Sequence, residues 1–137
     1  MAPVVRRTPV EGARWLSEHL GVPVHLKCEN LQRAGSFKIR GAYTRVARLS
    51  PDERARGVVA ASAGNHAQGV ALAASLLDTP ATVFMPEGAS LVKERATRGY
   101  GAQVRFAGTT VDTAVQAALA FAEETSAVFV HPFDHPD

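Results

Sequence analysis

The sequence predicts an α/β protein built on an open parallel sheet of about four strands flanked by helices. Three observations carry that expectation. Four short runs, the apolar ones at 58–61, 81–85 and 127–130 and the alternating Gln103-Val104-Arg105-Phe106, have the length and the β-branched or aromatic content of strands. Between them lie helical stretches of about 10–15 residues, an alternation that calls for right-handed crossovers and parallel pairing. The chain has 137 residues, 46% hydrophobic and 20% charged, which is single-domain size and enough to bury a core.

Residues 1–10, with Pro3 and Pro9, read as an extended lead-in. Residues 11–20 read as a helix with Ala13, Leu16 and Leu20 on one side and Gly21 as its C-cap. Residues 22–27 alternate enough for a strand. Glu29-Asn30-Leu31-Gln32 then leads to Gly35, and the spacing of Phe37, Ile39, Ala42, Tyr43, Val46 and Leu49 predicts a helix over 37–49 with Ser36 as N-cap. Ser50-Pro51-Asp52-Glu53 is a second helix start, with an N-cap, proline at the first helical position and acids in the first turn; Gly57 ends it. From the strand at 58–61 the pattern is regular. After the turn Ser62-Ala63-Gly64-Asn65 a helix is predicted to about Leu77, with further helices from about Ser90 to Gly99 and from Thr110 or Val111 to about Thr125. The last residues, His131 to Asp137 with Pro132 and Pro136, read as the start of a connection.

Composition removes several classes of function. The net charge is only +2, and the arginines are scattered; Arg6-Arg7 and Arg54/Arg56 lack the aromatic interleaving of a nucleic-acid surface. No apolar run reaches transmembrane length and the N-terminus lacks a signal-peptide core, so neither a membrane nor export is expected. The single Cys28 excludes an internal disulfide and fits a reducing compartment, with the cytoplasm as the expected location. Beside Glu29 and with no histidine partner in the pattern, it is a poor nucleophile. His131, Asp134 and His135 lack metal-ligand spacing because Pro132 and Pro136 interrupt any regular element, so no metal is expected. His19 and His25 read as surface or structural residues. The common nucleotide-binding glycine patterns and G-x-S-x-G are absent.

Two stretches could carry chemistry. Lys38, one of three lysines, lies just inside a helix start, where the dipole disfavours a cation and partial burial acts in the same sense. An amine that deprotonates easily suits imine chemistry with a carbonyl cofactor. The same features also fit an ordinary surface lysine. Ser62-Ala63-Gly64-Asn65-His66-Ala67-Gln68-Gly69 follows the first strand of the regular sheet, at the carboxyl end where open parallel sheets bind ligands. Gly64 permits a tight turn, the following N–H groups suit an anion such as a carboxylate, and Ser62, Asn65 and His66 add donors. A plain strand-to-helix turn capped by Asn65 fits equally. His66 reads better as a neutral hydrogen-bonding group than as a general base.

Lys27-Cys28-Glu29-Asn30-Leu31-Gln32, Gly35-Ser36-Phe37-Lys38-Ile39-Arg40-Gly41-Ala42 and Ser62 to Gly69 together resemble the threonine dehydratases (threonine ammonia-lyases). These are fold type II, tryptophan-synthase-β-like pyridoxal 5'-phosphate enzymes. The likeness runs on through Val83-Phe84-Met85-Pro86 and Lys93 to His131-Pro132-Phe133-Asp134-His135-Pro136. It implies that Lys38 is the Schiff-base lysine and the base that removes the substrate Cα proton. It further implies that Phe37 lies against the cofactor, that Asn65 bonds the pyridine 3-oxygen, and that Ser62, Ala63, Gly64, Asn65 and His66 bind the substrate carboxylate. The implied reaction converts L-threonine, or L-serine, to a 2-oxo acid and ammonia, the first step towards isoleucine. The cofactor serves as electron sink.

Serine racemases carry a second serine where this sequence has Ala63, threonine synthases tend to an aspartate at Ile39, and cysteine synthases have threonine-rich loops here; the dehydratases fit best. The resemblance also implies that 1–40 begins the large cofactor domain, that 41–132 is the small α/β domain, and that 133–137 starts a connection to a C-terminal part. The family holds the cofactor phosphate on consecutive glycines, and none of the 11 glycines here adjoins another, so the phosphate anchor is expected beyond this sequence. Family members form homo-oligomers. The rival readings are a non-catalytic paralogue that acts as a binding module and a serine dehydratase or racemase-like enzyme.

Overall fold

A computed structural model of the chain describes residues 4–133; Pro3 and residues 134–137, including Asp134 and His135, lie outside them. Strand β1 (Val10–Gly12) pairs antiparallel with β2 (His25–Lys27), Val10 opposite Lys27, and helix α1 (Arg14–Leu20) joins them. The helix predicted over 11–20 therefore loses its first turn. Gly12 favours helix poorly, and Ala13 is extended (φ −99°, ψ 86°) so that its N–H can reach Val24 O at 2.9 Å. Both strands are exposed, and α1 buries no residue.

Two 3-10 turns, Glu29–Leu31 and Arg33–Gly35, lead from this unit to helix α2 (Lys38–Ala47). Polar side chains fix them. Buried Gln32 accepts from the N–H groups of Arg6 (2.8 Å) and Arg33 (2.9 Å) and donates to Arg6 O. The Arg40 guanidinium donates to both Glu29 oxygens (2.9 and 2.8 Å), and Thr8 Oγ1 donates to one of them at 2.7 Å. Those bonds, Arg40 first, hold the Glu29 carboxyl at about 2. The first turn of α2 is thus tied to the lead-in.

Helix α2 starts one residue later and ends two earlier than its periodicity predicts. Ser36 is extended (φ −162°, ψ 167°) and precedes the cap residue, Phe37, although its Oγ still accepts from Lys38 N at 3.4 Å. Helix α3 (Pro51–Arg56) has the expected start: Ser50 Oγ accepts from Glu53 N, and Glu53 Oε2 accepts from Ser50 N at 2.7 Å.

The regular part follows as β3 (Val58–Ala61), α4 (Asn65–Leu76), β4 (Ala81–Met85), α5 (Leu91–Gly99), β5 (Gln103–Phe106), α6 (Val111–Thr125) and β6 (Val128–Phe129). The four strands are all parallel, in the order β5-β4-β3-β6. Successive residues of a strand face opposite sides. Val58 and Ala60 accordingly pack with Ile39 and Val46 of α2 and Val70 of α4, whereas Val59, Ala61 and Phe84 pack with Ala114 and Ala118 of α6. Central β3 is covered on both faces, so all four of its residues are apolar and buried. The 127–130 strand narrows to two residues because only Val58 and Val59 pair with it.

The chain winds outward from β3 through β4 to β5, then crosses back to lay β6 on the other side of β3. That reversal opens a crevice at the carboxyl ends of β3 and β6, the place where such sheets bind ligands. No helix among the described residues is long and apolar enough to cross a membrane.

Candidate active site

Two segments leave the crevice: the 62–64 turn after β3 and residues 130–133 after β6. The first turn of α2 lies against the second of these. Lys38 Nζ donates to Pro132 O at 2.7 Å and stands 5.3 Å from the centre of the Phe37 ring and 4.9 Å from that of Phe133. Buried His66, in the first turn of α4, bonds Val130 O through Nε2 at 2.9 Å. A carbonyl only accepts, so Nε2 carries the proton. These side chains, with Gly41 and Arg45, enclose a cleft of about 190 Å³.

Burial pushes the His66 pKa down; the bond to Val130 opposes this, and the charges of Lys38 and His131 add to the lowering. A histidine whose folded pKa lies below the unfolded one, about 6.5, binds fewer protons folded than unfolded in the acid range. Its contribution to stability is complete above about pH 6.5 and declines as the pH falls below it. Thermal unfolding of the chain should therefore show a loss of stability between about pH 7 and 5 that is smaller in His66→Asn. An equal loss in both proteins would show that His66 is not held neutral.

The approach of α2 to α4 depends on Gly69. A Cβ on Gly69 would stand 3.0 Å from Lys38 Cβ, 3.1 Å from its carbonyl carbon and 3.2 Å from its carbonyl oxygen. The absence of a side chain lets the backbone at Lys38 rest directly on α4. Next to it, the 62–64 turn is held by Ser62 N donating to Phe84 O (3.0 Å) and by Ser62 Oγ accepting from Gly64 N (3.0 Å). The cap of α4 is Gly64, not Asn65, and no side chain fills that role. The N–H groups of Asn65, His66 and Ala67 have no acceptor within the helix, whose first bond of this kind runs from Gln68 N to Gly64 O.

The structure thus brings Lys38, Phe37 and His66 into one cleft. Ser62, Ala63, Gly64 and Asn65 form the turn just before His66 and do not line the cleft itself. Asn65 is exposed at the first position of α4. Cys28 is half-buried and donates weakly to Leu26 O at 3.7 Å. Sequence reasoning missed the Pro132 carbonyl and the Phe133 ring, which lie 94 and 95 residues beyond Lys38 in the chain. It also missed the role of Gly69. A glycine inside an apolar helical run signals a packing constraint, but not the residue against which the helix packs.

The profile of the family described as pyridoxal-phosphate dependent enzyme matches residues 1–137. Among individual proteins, the L-threonine ammonia-lyase of Thermotoga maritima is 58% identical over 133 residues, which cover 97% of this chain and 33% of that protein. Of solved structures, the processed form of threonine deaminase isoform 2 from Solanum lycopersicum superposes with a TM-score of 0.90 at 44% identity, over 97% of this chain and 39% of that one. Maize serine racemase superposes with a TM-score of 0.89 at 37% identity, over 97% and 40% respectively. The chain spans about a third of the length of the curated relatives it matches first. With its lysine cleft at the switch point of a parallel sheet and a family match along its whole length, the chain belongs to the pyridoxal-phosphate dependent enzyme family.

Proposed function

We propose that this chain supplies the lysine-bearing part of an L-threonine ammonia-lyase active site, acting with pyridoxal 5'-phosphate on L-threonine, and on L-serine, to give a 2-oxo acid and ammonia. The observation that carries the proposal is the setting of Lys38. Its amine reaches into a cleft between two aromatic rings, and its backbone rests on the helix that begins at the anion-suited turn. That setting fits the aldehyde end of the cofactor, which needs a reachable amine, flat apolar walls and no bulk from Gly41 or Ala42. Once bound, the cofactor supplies an electron sink for the carbanion formed at the substrate Cα.

Each residue then has a task. Lys38 would hold the cofactor through Nζ, and the same atom, once freed, would take the substrate Cα proton. The Phe37 ring would pack against the cofactor, and the Asn65 amide would donate to its 3-oxygen. The turn from Ser62 to His66 receives the substrate carboxylate on N–H groups that the helix leaves unpaired. Neutral His66, bonded to Val130 O, fixes the start of α4 relative to the segment after β6. Ala63 carries no atom that could exchange a proton on the opposite face, which supports elimination over racemisation. We further assign 1–40 to the start of the large cofactor domain, 41–132 to the small domain and 133–137 to a connection, of which 134–137 lie outside the described residues. A cytoplasmic homo-oligomer working at the entry to isoleucine synthesis accords with this reading.

The test is a chimera in which this chain replaces the matching third of the Thermotoga maritima enzyme. It should release 2-oxobutanoate and ammonia from L-threonine within about tenfold of the parent rate and form neither D-allothreonine from it nor D-serine from L-serine. Loss of turnover in a folded chimera would favour the non-catalytic binding module, and D-allothreonine or D-serine the racemase.

A further inference from the structure

We propose that Lys93 is a binding residue of the same site, supplying the cation that pairs with the substrate carboxylate at the 62–66 turn; this rests on the lyase reading above. Lys93 projects from the first turn of α5 and is half-buried. Its Nζ lies 3.6 Å from the position a Cβ would take on Gly64. Among the described residues that ammonium has neither a hydrogen-bond acceptor nor an ion-pair partner, whereas Arg98 on the same helix is paired with Glu94 at 2.9 Å. The Lys93 backbone is fixed, since its N–H donates to Ser90 O (2.9 Å) and fully buried Thr97 donates to its carbonyl at 2.8 Å.

A cation in the first turn of a helix opposes the dipole, and half-burial without a counter-charge adds to the cost. Both costs are offset when an anion sits between Lys93 and the unpaired N–H groups of Asn65, His66 and Ala67. The turn offers no negative group of its own: Ser62 and Asn65 are neutral, and Ala63 and Gly64 have no polar side chain. A carboxylate of the size borne by a small amino acid completes the arrangement. Its two oxygens would meet the ammonium on one side and backbone donors on the other. Gly64 matters here because the ammonium occupies the space beside its missing side chain.

The test uses the 137-residue chain and follows the backbone amides of residues 63–66 by ¹H–¹⁵N NMR. L-threonine should shift them saturably. Lys93→Met should weaken that binding on the order of tenfold or more, the scale of one lost hydrogen bond to a charged group, and Lys93→Arg should restore most of it. Lys27→Met is the control, because that ammonium donates to Thr8 O in the N-terminal unit. L-threoninol, which has no carboxylate, should not move these amides. Unchanged threonine binding by a folded Lys93→Met, or by Lys93→Gln should the first variant unfold, would overturn the proposal. So would saturation by inorganic phosphate with no response to threonine, or no saturable shift in the unsubstituted chain. Failure of the lyase reading looks different: the chimera would not turn over threonine while Lys93-dependent binding persisted.

Discussion

Lys38→Ala in the chimera is expected to lower 2-oxobutanoate formation from L-threonine by at least about 10³-fold, because one atom is asked to carry the cofactor and to move the Cα proton. The fall should be in kcat. Lys38→Arg should not rescue it, since a guanidinium stays protonated and cannot act as nucleophile or base. The fold should survive the change. Lys38 Nζ contributes one hydrogen bond, to Pro132 O, while Ile39, Ala42 and Val46 hold α2 in the core. A melting temperature near that of the unsubstituted protein would therefore accompany the lost activity. Retained turnover in Lys38→Ala would remove Lys38 from the reaction and, with it, the basis of the proposed function.

Gly69→Ala should have the largest effect of any single-methyl change at the helix interface. A glycine inside a helix ordinarily costs about 1 kcal/mol relative to alanine, so the substitution would stabilise an open position. Gly41 of α2 is such a position, with nothing within 4 Å of a new Cβ, and Gly41→Ala should gain up to about 1 kcal/mol. At Gly69 the added methyl meets the Cβ, carbonyl carbon and carbonyl oxygen of Lys38 at 3.0–3.2 Å. Backbone cannot swing aside as a side-chain tip can, so α2 and α4 must part. Overpacking of this kind costs about 1–3 kcal/mol and outweighs the gain in propensity. Gly69→Ala should lower the melting temperature by about 2–8 °C for a net loss on the order of 1 kcal/mol. In the chimera it should also lower kcat on the order of tenfold, because the lysine that must reach the substrate Cα is displaced. A stabilised Gly69→Ala with full turnover would show that α2 can shift without consequence.

The regular part of the fold is legible because its signals are local. The strands at 58–61, 81–85 and 103–106 emerge where their runs place them, and the helix start at Ser50 carries its own capping chemistry. The first strand is not legible. Val10–Gly12 is a strand only because His25–Lys27 lies beside it, and no periodicity within 10–12 records that partner. The same limit applies at the site. Motif and helix start single out Lys38, but the Pro132 carbonyl that it contacts lies 94 residues away. Lys93 sits in an ordinary amphipathic helix, and nothing near it in sequence says that its amine ends beside Gly64. Strand order supplies what sequence lacks: the return of β6 to the side of β3 brings residues 130–133 to the lysine.

The central claim is that Lys38 carries the cofactor, and covalent trapping tests it most directly. The chimera, mixed with pyridoxal 5'-phosphate and reduced with borohydride, is digested and the modified peptide identified by mass spectrometry. The account predicts the reduced cofactor on Lys38 alone among the lysines of this chain, and none in Lys38→Ala. A label on Lys27 or Lys93 with Lys38 free, or an undiminished label in Lys38→Ala, would contradict it.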